Sequence, residues 1–284
     1  MTDFAHSAGT AKTKPTVIAL HCAGANGSEW QQLNNDLGEG FSLIAPNLIG
    51  CGGAERWNGK HALTLSAEAA CALTIMDSLK EPVHLVGHSY GGAVALRAAI
   101  ERPAQVASLT LYEPAALHVL KVMGPDGKVA LVGLDAVANE VSGYVVRGAY
   151  QAAAKRFVEW ANGEGSWVAM DSETQDRLVR YIPKVCLEYY AEVSEKTPLV
   201  VYSRLNCPVL LLQGERSLEP MRMIAQKLAS TMRLASLQTV YGAGHMGPFT
   251  HALVVGPMMA DHIAAAQARL SSGTRPITPV DQAA

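Results

Sequence analysis

Residues 83–99 read VHLVGHSYGGAVALRAA, and this stretch decides the fold. An apolar run, Val83–Val86, ends in Gly87-His88-Ser89-Tyr90-Gly91-Gly92, and an Ala-rich helical pattern follows at once. A serine between glycines, where strand passes to helix, has a chemical use. The glycines permit a tight turn and close strand–helix approach, so the hydroxyl projects at the strand's C-terminal end beside the first amides of the helix. With 25 glycines in 284 residues the pentapeptide G-x-S-x-G decides nothing alone. The flanking chain must agree with it.

It does agree. Short apolar runs at Thr16–Leu20, Phe41–Ala45, Ser108–Tyr112, Val209–Gln213 and Ser236–Val240 alternate with helical patterns. The helices are Leu65–Leu79, Gly92–Glu101, Pro220–Thr231 and His251–Leu270. This order predicts an α/β fold of three layers, a mainly parallel sheet of about six strands with helices on both faces. Fifteen residues precede the first strand, which leaves room for one extra edge strand at most. From 115 to 198 the alternation lapses into helical patches, Gln151–Trp160 and Asp176–Ala191 among them. That is longer than one crossover in a compact sheet. Residues 115–198 therefore read as a helical cap inserted into a core of 1–114 and 199–270, with 271–284 as a disordered tail.

Composition narrows the partners. Nearly half the chain (49%) is hydrophobic, and 23 basic residues face 25 acidic ones without a polybasic block. Nucleic acid and anionic membranes are not expected partners. The N-terminus shows no signal-peptide core, and no apolar run reads as long enough to span a bilayer. Cys22, Cys51, Cys71, Cys186 and Cys207 lie scattered without a C-x-x-C pair. Neither a disulfide framework nor a zinc site is expected, and a reducing cytoplasm is the expected location. The oligomeric state stays open between monomer and homodimer.

A serine hydroxyl needs a base, a group orienting that base, and donors for the oxyanion. The base is expected after the last strand, where VYGAGHMGPF carries His245. His88 is fixed by the turn and His84 lies within a strand; His6, His61, His118, His251 and His262 read as surface or helix residues. Donors are expected from main chain: Tyr90, following the serine, and Ala23 in LHCAGANGSEW after the first strand.

Together these segments resemble the α/β-hydrolase family, with its H-G-x7-W loop, G-H-S-x-G-G elbow and terminal G-A-G-H, from about Pro15 to Leu270. The resemblance implies a Ser–His–acid triad without metal or organic cofactor. A serine at the elbow argues against the relatives whose nucleophile is Asp. Three departures stand out: Cys22 replaces the usual Gly, PNLIGCGGAERW carries Asn47 and Cys51 in place of Asp and His, and LLLQGERSLEP has Ser217 where the family places its acid. Two carboxylates remain at strand ends. Certain family members carry the acid at the end of the strand after the elbow, and LYEP places Glu113 there; Glu215 is the alternative. The expected triad is Ser89–His245–Glu113.

The resemblance implies a serine hydrolase cleaving a small carboxylic ester or related acyl substrate through an acyl-enzyme. C–C bond hydrolase, lactonase, perhydrolase and hydroxynitrile lyase chemistry stays open on the same residues, as does a non-catalytic binding module. Met123, Tyr144, Tyr150, Phe157, Trp160 and Trp167 either line an apolar pocket over Ser89 or pack the cap's own helices. Cys22 and Cys51 are expected near its mouth.

Overall fold

The computed structural model describes residues 14–273. Along the chain run β1 (Thr16–Leu20), α1 (Gln31–Leu37), β2 (Ser42–Ile44), α2 (Leu65–Ser78), β3 (Val83–His88), α3 (Tyr90–Glu101) and β4 (Val106–Tyr112). Then come α4 (Gly124–Val146), α5 (Tyr150–Asn162), α6 (Ser172–Ser194), α7 (Leu199–Tyr202), β5 (Val209–Gly214), α8 (Glu219–Thr231), β6 (Ala235–Val240), α9 (Gly247–Thr250) and α10 (Ala252–Ser271). The strands form one parallel sheet in the order β2-β1-β3-β4-β5-β6.

Alternation along each strand divides the core between two faces. Ile18, Leu20, Leu85, Leu109, Leu111 and Leu211 pack beneath α2, α3 and α8. Val17, Ala19, Val86, Tyr112, Leu210 and Leu212 pack beneath α1 and α10. Both sets are buried, which is why the inner strands read as unbroken apolar runs. The edges differ: β6 alternates between exposed and half-buried residues, and β2 shrinks to three residues from the expected five. Thr64 caps α2 by accepting from the Ala67 amide at 3.1 Å, and Asp171 caps α6 through the Thr174 amide at 2.8 Å.

Register sets the functional end of the sheet. Leu20 pairs with Gly87, Gly87 with Leu111, and Tyr112 pairs with both His88 and Leu212. The strand ends are thus level, and the chain order reverses between β1 and β3. Open α/β sheets bind ligands in the crevice at such a point.

Between β4 and β5 the described residues are helical, with no strand. Val141, Ala153, Ala154, Val158, Trp167, Leu178 and Ile182 give α4, α5 and α6 a small core of their own. One expectation is corrected here. By length and composition α4, at 23 residues, is apolar enough to cross a membrane, although no such run was read from the sequence. Asp126, Lys128, Asp135 and Glu140 interrupt it in sequence, and Leu134 and Val141 bury one face against the neighbouring helices. Ser271, the first residue of the expected tail, is the last of α10; residues 274–284 and His6 lie outside the described residues.

Helix α3 approaches the sheet closely at Gly91, where an added Cβ would lie 2.2 Å from the Leu20 carbonyl oxygen and 2.4 Å from that of His21. Both obstacles are backbone, so neither can swing aside. Gly91→Ala should therefore lower unfolding stability in urea by about 1–3 kcal/mol, the scale of an overpacked core. An unchanged urea midpoint would contradict this reading of the contact.

Candidate active site

Ser89 occupies the turn between β3 and α3 with φ 52° and ψ −118°, a conformation unfavourable for a residue bearing a Cβ. The backbone holds it there: its amide donates to the Tyr112 carbonyl at 3.0 Å, and its carbonyl accepts from Ala93 and Ala115. A Cβ on Gly87 would meet the Gly91 carbonyl at 2.5 Å, and one on Gly92 would meet Pro114 Cα at 2.8 Å. The glycines are therefore dictated by the approach of α3 to the strand ends.

His245 arrives on the turn after β6. Its Nε2 lies 2.8 Å from Ser89 Oγ and its Nδ1 lies 2.7 Å from Glu113 Oε2. Glu113, just past β4, is itself at positive φ, 43°, and its amide donates to Leu212. Its second oxygen accepts from the Gly214 amide at 2.6 Å. Burial pushes the Glu113 carboxyl up, but the hydrogen bond and charge of His245 outweigh it. The Ser217 hydroxyl and the Gly214 amide assist, and the carboxyl ends below its ordinary value. An ionised Glu113 only accepts, so Nδ1 carries the proton and Nε2 of the neutral ring accepts from the Ser89 hydroxyl.

The structure thus brings Ser89, His245 and Glu113 into one hydrogen-bonded line. Glu215 is not part of it. Its carboxylate accepts from the Gly242 amide at 2.9 Å and ties down the turn after β6.

Two residues behind this line were not singled out in the sequence. Glu29 and His88 are fully enclosed and meet at 2.6 Å, Oε1 to Nδ1. His88 Nε2 donates to the His245 carbonyl at 2.8 Å, while the other oxygen of Glu29 accepts from the Cys22 amide at 2.8 Å. The pair therefore ties the loop after β1 to the loop carrying His245. Tyr112 adds a second brace, its hydroxyl donating to the Gly244 carbonyl at 2.7 Å. The signal was present: an acidic residue inside the GSEW turn and a histidine directly before Ser89.

The loop after β1 and the loop carrying Asn47, where two of the departures from the family pattern lie, are hydrogen-bonded to one another. His21 accepts from the Leu48 amide at Nε2, which puts its proton on Nδ1 toward the Cys22 carbonyl, 2.8 Å away. Asn47 bridges two loops, accepting from Gly27 and donating to Gly52, both at 2.9 Å. The Cys22 amide serves Glu29, and among the described residues the Ala23 and Tyr90 amides donate to no protein acceptor.

A cavity opens over Ser89, and Ala23, Tyr90, His245, Leu117 and Met221 line it. From α4 and α5 come Leu134, Val137, Val141, Phe157 and Trp160. Of the six cap residues considered, only Phe157 and Trp160 reach this lining. Trp167 packs the core of the cap helices, Tyr144 lies against it and Arg147, Met123 packs on the main core, and Tyr150 is exposed. Cys22 lines the cavity, whereas Cys51 is buried in the main core. Burial and Glu29 push the Cys22 thiol well above its ordinary value, so a thiolate is disfavoured there. Cys22, Glu29 and His88 do bring ligand atoms within 4.8 Å of one another. Both Glu29 oxygens are already hydrogen-bonded and the thiol keeps its proton, so this trio is a poor fit for a metal.

Comparison with known proteins agrees with this architecture. The model of the Alpha/beta hydrolase family matches residues 17–255. A lipase, LipV, of Mycobacterium tuberculosis is 38% identical over 100 residues, 35% of this chain and 37% of the lipase. A 2-hydroxy-6-oxo-2,4-heptadienoate hydrolase of Pseudomonas putida is 31% identical over 130 residues, 38% of this chain and 47% of that enzyme. These matches span less than half of either relative. Among solved structures, an esterase of Thermogutta terrifontis superposes with a TM-score of 0.67 at 21% identity, over 89% of this chain and 91% of that one. A 2-hydroxy-6-oxo-6-phenylhexa-2,4-dienoate hydrolase of Rhodococcus does so at 0.65 and 20%, over 88% and 91%. With a parallel six-stranded sheet and a family match over most of its length, the chain belongs to the alpha/beta hydrolase family.

Proposed function

We propose that the protein is a serine hydrolase that cleaves a small carboxylic ester through an acyl-enzyme. The observation that carries this reading is the line from Ser89 Oγ to His245 Nε2, 2.8 Å, and from His245 Nδ1 to Glu113 Oε2, 2.7 Å, beneath an apolar cavity. Ser89 attacks the ester carbonyl while His245 takes its proton. His245 then gives the proton to the leaving alcohol, and a water repeats the sequence to release the acid. Glu113 holds the tautomer and stabilises the imidazolium. The amides of Ala23 and Tyr90 receive the oxyanion.

The dienoate hydrolases among the relatives favour a second reading, C–C bond hydrolysis on the same residues. The lining of the cavity weighs against it. Glu188 and Glu192 line this cavity with no Lys or Arg among its described lining residues, so a carboxylate seated here finds no counter-charge; Arg177 and Arg216 line only the adjoining cavity, which shares Ala23 and His245.

A rate panel of p-nitrophenyl esters of varied acyl length, with a fluorophosphonate probe, tests the proposal. Ser89→Ala should lose more than about a thousandfold in kcat/KM and all labelling while keeping its urea midpoint, because the nucleophile acts as a unit with its base. A flat panel at background rate with the wild-type protein would sink the esterase reading.

Glu113→Gln should cost roughly two to four orders of magnitude in kcat, the scale of a misassigned histidine tautomer, and Glu215→Gln far less. The same residue sets a pH dependence. A carboxyl held below its ordinary value of 4.5 stabilises the fold above that pH and loses the contribution as pH falls through its folded value. The stability gap between wild type and Glu113→Gln, from urea titrations, should narrow as pH drops from about 6 to about 3. A gap that widens would show the carboxyl to be raised instead.

A further inference from the structure

Helix α6 carries two carboxyl groups to the cavity that holds Ser89. Glu188 and Glu192 stand one turn apart, and both line it. Glu188 is fixed through a single oxygen. Lys184 Nζ lies 2.7 Å from its Oε1, and the Tyr181 hydroxyl donates to that same atom. Lys184 is shared, lying 2.8 Å from Glu68 Oε1 and over the rings of Tyr90 and Tyr181 at 5.4 and 5.3 Å.

The second oxygen of Glu188, Oε2, is buried with no hydrogen-bond partner among the described residues. Glu188 is 2% exposed and Glu192 is 7% exposed. The Glu192 carboxyl has neither hydrogen bond nor ion pair among the described residues. Glu68 and Glu188 thus share one ammonium, and Glu192, one turn beyond Glu188, has none. Leaving a buried carboxyl oxygen of Glu188 and the whole carboxyl of Glu192 unpartnered costs free energy, and the fold itself gains nothing visible from it.

We infer that this end of the cavity binds a basic nitrogen, and that the ester substrate carries an amine-type cation which Glu188 Oε2 and Glu192 receive. The inference rests on the hydrolase reading above and adds the class of substrate to it. A cation there supplies the charge the cluster lacks and a donor for the free oxygens. Phe157, Trp160 and Tyr189 line the same cavity, and aromatic rings suit an alkylammonium group. The raised carboxyl groups are consistent with this. Burial pushes the Glu188 carboxyl up to about 7, and burial with the charge of Glu188 pushes Glu192 well up.

The test uses matched esters that differ only at the far end. One pair has a p-nitrophenyl ester of a six-carbon acyl chain ending in dimethylamino or in isopropyl; a third member ends in hydroxyl. The other pair has hexanoate esters of dimethylaminoethanol and of isoamyl alcohol, so the nitrogen is offered on the alcohol side too. In at least one pair the wild-type protein should favour the amine by about tenfold or more in kcat/KM, and Glu192→Gln or Glu188→Gln should reduce that ratio about tenfold. A fluorophosphonate probe applied to each protein counts the reactive sites.

A ratio of one or less in both pairs, on protein that labels and turns over the apolar esters, would overturn the inference and leave the hydrolase reading standing. So would a hydroxyl ester preferred over its amine, or an amine preference untouched by both substitutions. Wild-type protein that neither labels nor hydrolyses any ester would overturn both readings together.

Discussion

The approach of α3 to the ends of β1 and β4 is the constraint on which the rest depends. No side chain fits between Gly91 and the carbonyls of Leu20 and His21, or between Gly92 and Pro114. That closeness forces Ser89 out of the ordinary backbone regions and onto the crevice floor. It also decides the company Ser89 keeps. The loop beginning at His21 and the turn at Glu113–Pro114 are pressed against the same helix start. Candidate oxyanion amide, hydroxyl and carboxylate therefore share one origin, a helix set closer to its sheet than any residue but glycine allows.

The carboxylate facing His245 illustrates how loosely chain position and place in space are linked. His245 Nδ1 asks only for an acceptor at hydrogen-bond distance, and β4 and β5 end side by side. Glu113 meets the request from β4, its amide bonded to Leu212 and its side chain to the Gly214 amide. Ser217, at the position where the family usually carries its acid, is small and buried and adds its hydroxyl beside the carboxylate. A second carboxylate there would place two like charges against one imidazole, at a cost in both their acidities. The two positions are exclusive in electrostatics, and one of them is filled.

Much of this was legible in the sequence because the relevant signals are local. Parallel strands buried on both faces are written as apolar runs, and a strained turn beside a helix is written as glycine. The level strand ends put Glu113 next to Ser89 in any such sheet. What escaped reading depends on distant packing. Glu29 and His88 are separated by 59 positions, and only the folded loops show that they meet. The span-like character of α4 was hidden by its scattered charges. The sorting of Phe157 and Trp160 into the cavity, with Trp167 into the cap core, depends on how α5 and α6 lean on one another, which periodicity does not record. Glu188 and Glu192 were readable in principle. They fall in the stripe of Leu178, Tyr181, Ile182 and Val185, where a helix facing a core carries apolar residues.

Such misplaced charges are informative because the rest of the molecule is so consistent. Glu113 and Glu29 are also buried acids, and each has both oxygens occupied. Glu188 has one occupied and Glu192 none, so burial alone does not separate the two groups. The difference lies in what each pair faces. Glu113 and Glu29 face protein on every side, and their partners are supplied by the chain. Glu188 and Glu192 line a cavity; the chain serves one oxygen of Glu188 there and neither of Glu192, and a ligand can serve the rest. Local rules that a fold keeps elsewhere and breaks at one concavity mark that concavity as the place where stability has yielded to recognition. Glu188, Glu192 and Ser89 line the same space, which makes the far wall of the cavity part of one chemical site.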